Sequence, residues 1–198
     1  MRFAAAFFVT FALCLPASAQ ENQGQNSSNV EVAPDKPELS KARQLDQLLA
    51  KLHTAPENAD VSRIEDQIWQ IWSRHDSPTA EVLLRQSSAA ISNGEFAPAE
   101  VMLTQALETY PNYAEAWNRR ASLYYLQKRY DVALIDVDHA LALEPRNFGA
   151  LIGKGLILRA QKRDDDAQAA FEEALAINPH LDSVAALLRK IAKERPKI

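Results

Sequence analysis

Few side chains in this sequence are spaced for chemistry. Its four histidines, His53, His75, His139 and His180, are scattered along the chain. A metal centre or an acid–base pair is legible in a sequence when its groups share one helix face or one turn. His139 has a carboxylate three residues away on the same helix, Asp136, and that spacing equally suits an ordinary surface pair. Asp164-Asp165-Asp166 gathers charge enough for a hard cation, but no further ligands flank the run at coordinating spacing, and acids at a helix start are expected to cap it and complement its dipole. Gly153-Lys154-Gly155 lacks the pattern of a phosphate loop. No G-x-S-x-G elbow, H-E-x-x-H pair or cysteine pair occurs. A non-enzyme with no metal and no cofactor is therefore expected.

The single cysteine, Cys14, lies inside an apolar run from Phe3 to Leu15 that follows Arg2 and precedes Ala17-Ser18-Ala19. A short positive start, an apolar core and small residues at the end form a secretory signal, with cleavage expected after Ala19. The run is short for a membrane span. An uncleaved anchor is the alternative, and lipidation at Cys14 is disfavoured by Leu13 just before it. The expected location is periplasmic, or secreted, with no stable membrane insertion after cleavage. A mature chain without cysteine must draw its stability from packing. The net charge of −4 becomes one unit more negative once Arg2 departs. Nucleic acid is thus an unfavourable partner.

The elements follow from periodicity. Residues 20–37 are rich in Asn, Gln, Ser and Pro and read as a flexible linker. Leu39, Ala42, Leu45, Leu48, Leu49 and Leu52 then recur at helical spacing as far as Pro56. A second helix follows from Asp60, its N-cap, with Val61, Ile64, Ile68, Trp69, Ile71 and Trp72 on a wide apolar face. Residues 38–76 read as a degenerate helix pair whose tryptophans pack on the first repeat; a separate binding surface is the sharper alternative. Ser77-Pro78 opens the next helix.

From there the chain repeats at the period of a helix-turn-helix unit, about 34 residues. Ala99, Ala133 and Ala167 fall in register, as do Ala106, Ala140 and Ala174, and Pro111, Pro145 and Pro179. Larger positions follow: Leu83, Trp117 and Leu151; Ala90, Tyr124 and Leu158; Leu103, Val137 and Phe171. On these residues the chain resembles the tetratricopeptide-repeat family, in three units at residues 80–113, 114–147 and 148–181. A capping helix is expected at residues 182–194, bearing Val184, Leu187, Leu188 and Ile191. The segment Ile68-Trp69-Gln70-Ile71-Trp72, with the repeats, resembles small exported repeat proteins of Gram-negative, alphaproteobacterial bacteria. The fold class expected is an all-α, right-handed α-solenoid.

The resemblance implies a concave groove lined by the first helix of each unit. Its inner positions correspond to Glu81, Leu84, Ser88 and Ile91, then Glu115, Asn118, Ser122 and Tyr125, then Gly149, Ile152, Leu156 and Arg159. Asn118 would bond a peptide backbone, Tyr125 would add contact area and Arg159 would meet a carboxylate. The positions with which relatives clamp chaperone tails hold Leu84, Ser88, Arg119, Gly149 and Gly153, so that specificity is not expected. The function implied is a periplasmic scaffold binding a cell-envelope protein or peptide. Alternatives are an accessory chaperone of enzyme maturation, such as cytochrome biogenesis, and an enzyme of unrecognised site. Oligomeric state stays open.

Overall fold

Good helix formers arranged with apolar faces, and broken at regular intervals by proline and tight turns, fold into helices throughout the computed structural model, which describes residues 37–56 and 60–194. The expected signal and all but the last residue of the expected linker lie outside the described residues. The described part belongs to one unit. It consists of α1 (Pro37–Thr54), α2 (Val61–Ser73), α3 (Pro78–Ser92), α4 (Phe96–Thr109), α5 (Ala114–Leu126), α6 (Tyr130–Leu143), α7 (Phe148–Ala160), α8 (Asp164–Ile177) and α9 (Asp182–Glu194). No strand occurs among the described residues. The expected all-α helical repeat architecture is observed.

Three antiparallel pairs, α3 with α4, α5 with α6 and α7 with α8, stack in order, each second helix packing on the next first helix. Ala99, Ala133 and Ala167 are fully buried, as are Leu103, Val137 and Phe171 one turn on. Small residues allow close approach while the larger ones fill the gaps, as interdigitated helix packing requires. At Gly155 the closeness is extreme: a Cβ there would stand 2.6 Å from Cδ1 of the Phe171 ring. Beyond the third pair, α9 covers Leu158 and Phe171 with Val184 and Ile191.

Proline and the turns set the helix ends. Tyr110, Glu144 and Asn178 cap the C-termini of α4, α6 and α8 at φ of −130°, −138° and −123°. Each precedes a proline, whose ring drives its neighbour out of the helical region. Within the units, Glu95, Arg129 and Arg163 donate backbone N–H bonds to Ala90, Tyr124 and Leu158. These bonds belong to the helix-terminating motif that places its preceding residue in the left-handed region. That residue is Gly94 in the first unit but Lys128 and Lys162, at φ of 60° and 62°, in the others.

Three local expectations change. Asp60 does cap α2, accepting the Arg63 N–H, but Ser77 makes no side-chain cap on α3; its hydroxyl donates to Tyr110 Oη instead. The Asp164 run lies inside the first turn of α8, where it meets the dipole, and Arg163 takes the cap position. The largest difference concerns α1 and α2. They do not lie on the first repeat as another unit would: Trp69 and Trp72 pack on Phe148 at the start of α7, and Leu45, Leu49, Leu52, Ile64 and Ile68 share one core with Phe148, Leu151 and Ala174.

A lysine held left-handed is strained by about 1 kcal/mol relative to glycine. Lys128→Gly and Lys162→Gly are each expected to stabilise the protein by about that amount, read as a higher urea midpoint at unchanged slope.

Candidate binding face of the repeat array

The inner positions of α3, α5 and α7 fall into two groups. On α3, Leu84 is buried and forms the floor of a channel, with Glu81 and Ser88 half-buried beside it. The opposite wall is α2, through Gln70, Ser73 and Arg74, and Arg85 and Arg119 complete a cavity of about 440 Å³. Ile91 packs partly buried on the first unit's core. On α5, Ser122 is exposed, and Tyr125 lies half-buried against Tyr130, ring centroids 5.9 Å apart.

The remaining inner positions are engaged within the chain. Glu115, 1% exposed, accepts hydrogen bonds from Asn118 Nδ2 at 3.0 Å and from Arg119 at 2.7 Å. The amide expected to read a peptide backbone is thus spent on its own helix. Gly149 is pressed by α2, where an added Cβ would stand 2.8 Å from Cζ2 of Trp69. Ile152 joins the core beneath the same tryptophan, Leu156 packs beneath α9, and Arg159 pairs with Glu194 of α9 at 3.2 Å. Of the twelve inner residues, Leu84 and Ser88 line the channel and Ser122 is exposed, whereas Ile91 packs on the core and Glu81 accepts the His75 N–H.

Contacts between α2 and the first unit fix the channel. The Tyr113 hydroxyl donates to the Ser73 carbonyl, and burial, with Glu115 and Glu81 nearby, pushes its pKa well above the ordinary tyrosine range. His75 lies between the Tyr110 and Tyr113 rings, 4.9 and 4.8 Å from their centroids. Its backbone N–H donates to Glu81, while Nδ1 accepts from Ser77 N–H. Sequence reasoning missed this joint. The aromatic spacing of Tyr110 and Tyr113 gave no hint that both rings would converge on a histidine some 35 residues earlier.

The Asp136–His139 pair dissolves on inspection. Asp136 accepts two bonds from Arg120, at 2.6 and 3.0 Å, in a pair whose side chains are 5% and 15% exposed. Burial opposes the Arg120 charge, but Asp136 outweighs it and holds the guanidinium above its usual pKa. His139 instead lies flat on Trp117, 4.6 Å between centroids, with Nδ1 against the Ile135 carbonyl. The Asp run points elsewhere too: Asp166 pairs with Arg163 at 2.8 Å. Among the described residues no group of three or more His, Cys, Asp or Glu side chains could hold a metal ion.

A tetratricopeptide-repeat family model matches residues 84–138, and another matches residues 148–181. A repeat-containing protein of Rhizobium etli is 33% identical over 172 residues, 87% of this chain and 81% of that protein. The chain is a tetratricopeptide-repeat protein. Tetratricopeptide repeat protein 36 of Bos taurus is 35% identical over 109 residues, 53% of this chain and 58% of that one. Among solved structures, the first repeat domain of Spaghetti (RPAP3) bound to the HSP90 peptide SRMEEVD superposes with a TM-score of 0.58 at 26% identity. It covers 60% of this repeat protein and 94% of that domain. Repeat proteins of this family typically serve as non-enzymatic interaction modules.

Because the Arg120–Asp136 pair ties α5 to α6 beneath the open part of the face, Asp136→Ala should destabilise the protein by about 3 kcal/mol, the low end for breaking a buried ion pair. Chemical denaturation measures this, and Asp136→Asn, which keeps an acceptor, should lose clearly less.

Proposed function

We propose that this repeat protein acts in the periplasm as a non-catalytic scaffold, holding a segment of a cell-envelope protein in the channel between α2 and the first helices of units one and two. The observation that carries the reading is the channel itself. Leu84 supplies an apolar floor, while Ser88, Gln70, Ser73, Arg85 and Arg119 surround it with donors and acceptors. An extended backbone needs that combination, an apolar anchor pocket with polar groups beside it. A repeat array suits such a task because its stability is spread over neighbouring units, so a surface helix face is free to vary with the ligand.

The exported location is supported by the charged start, apolar core and Ala17-Ser18-Ala19 end of the first residues. Among the described residues no helix is long and apolar enough to cross a membrane.

Two measurements test the reading. Mass spectrometry of the protein from a periplasmic fraction should find a chain beginning at Gln20; a chain retaining Met1 in the cytoplasm would refute export. The mature chain, used as bait in envelope extract, should retain a polypeptide that an Arg85→Glu, Ser88→Glu variant retains at least tenfold less. Equal retention by both removes the channel from consideration.

A further inference from the structure

The inner face of the third unit already carries a helix, the chain's own α2. Trp69 lies over Gly149 so closely that no side chain would fit between them, and Trp69, Trp72 and Phe148 meet edge to face with centroids 5.1 to 5.7 Å apart. Glycine within a helix is unfavourable, so a glycine that admits an indole marks a place shaped for that indole. The α1–α2 hairpin also shares a buried apolar core with Phe148, Leu151 and Ala174 through Leu45, Leu49, Leu52, Ile64 and Ile68, and polar contacts flank that core. Asn178 Nδ2 donates to Glu65 at 2.6 Å, His180 Nε2 meets the Leu52 carbonyl at 3.1 Å, and Arg146 pairs with Asp46.

The fit of the hairpin is incomplete. A cavity of about 310 Å³ remains between it and the array, edged by Lys41, Trp72, His75, Tyr113 and Arg146. Trp72 Nε1 is buried with no acceptor, a state that an obligate core rarely tolerates. Lys41 also lies at this edge, and burial lowers its pKa despite Asp76 nearby. Meanwhile the stack from α3 to α9 is continuous without the hairpin, each helix packing on its neighbour. The hairpin joins it through the short Arg74–Ser77 connection, pinned by His75.

We propose that the start of α7 forms a helix-binding seat, that the α1–α2 hairpin is its exchangeable resident, and that the seat admits a partner's amphipathic helix bearing two large aromatics three residues apart. This rests on the reading of the protein as a polypeptide-binding scaffold and adds a second contact region with its own chemistry. The partner helix must resemble α2: aliphatic residues in the register of Ile64, Ile68 and Ile71, and an aromatic over Gly149.

The probe is a labelled peptide of residues 37–76, titrated by fluorescence anisotropy into three mature chains. These are the unaltered chain, a Trp69→Ala, Trp72→Ala variant whose hairpin has lost its grip, and the same variant with Gly149→Leu. In the last, the two indole carbons that would clash with an added Cβ are gone, leaving Asn147 Oδ1 at 3.3 Å as the remaining one of its three nearest atoms, and circular dichroism checks that α7 keeps its helix. The double variant should bind the peptide at least tenfold more tightly than the unaltered chain, and Gly149→Leu should reverse that gain. Hydrogen exchange of the double variant should show α1 and α2 losing protection while α3 to α8 keep theirs. Equal binding by the first two chains, or binding indifferent to Gly149→Leu, overturns the proposal. So does protection lost from all helices together, since the hairpin would then belong to one cooperative core. Every component is purified, so these results stand apart from the success or failure of envelope capture.

Discussion

Close approach of paired helices through alanine and glycine is the constraint on which everything else depends. Ala99, Ala133 and Ala167 have no exposed surface, and Gly155 lets the Phe171 ring lie against the α7 backbone. A larger side chain at any of these places would push the pair apart, and since each second helix also supports the next first helix, the displacement would pass along the stack. The first helices therefore hold their inner faces at a fixed spacing. Leu84, Ser88 and Ser122 keep their places on those faces because residues on the opposite sides of their helices are held in the core.

The repeats were legible because their contacts are local and recur: the residues that set the register, such as Ala99, Ala133 and Ala167, find their partners within their own unit or the next. The alanine and proline registers, the helix ends before Pro111, Pro145 and Pro179, and the closing helix all follow from that periodicity. The seat of the first helix pair was not legible for the opposite reason. Glu65 meets Asn178 across 113 residues and Leu52 meets His180 across 128, with no repeated pattern to announce either contact. One signal was present. Gly149 stands in the first turn of α7 at an inner position, and a glycine there asks what lies against it. The engagement of Asn118 by Glu115 was harder to foresee, since a polar residue on an inner face looks the same whether it awaits a ligand or serves a neighbour three residues away.

Charge contributes by joining units and by closing options. Glu100 of α4 accepts bonds from Tyr124 and Arg129 of the following unit; burial opposes its ionisation, but those donors prevail and hold its carboxyl below the usual range. Gln161 reaches Asp131, and Lys154 reaches Asp138, across the next boundary. Exposed pairs of this kind are individually weak. Their value lies in orientation, because each links a turn or helix of one unit to a helix of its neighbour. Of the groups the sequence offered for chemistry, Asp136 pairs with Arg120, Asp166 with Arg163, and His139 stacks on Trp117.

The distance along the chain between the hairpin and its seat has a consequence for biosynthesis. The tryptophan face of α2 is made early, whereas Phe148, Asn178 and His180 follow roughly 75 to 110 residues later. At synthesis rates of about 5 to 20 residues per second, that face waits some 4 to 20 seconds for its place to exist. An apolar helix pair without cover for so long is an invitation to wrong contacts, and the polar tract at residues 20–37 precedes it as it emerges. The order in which the parts appear thus runs against the order in which they can be assembled.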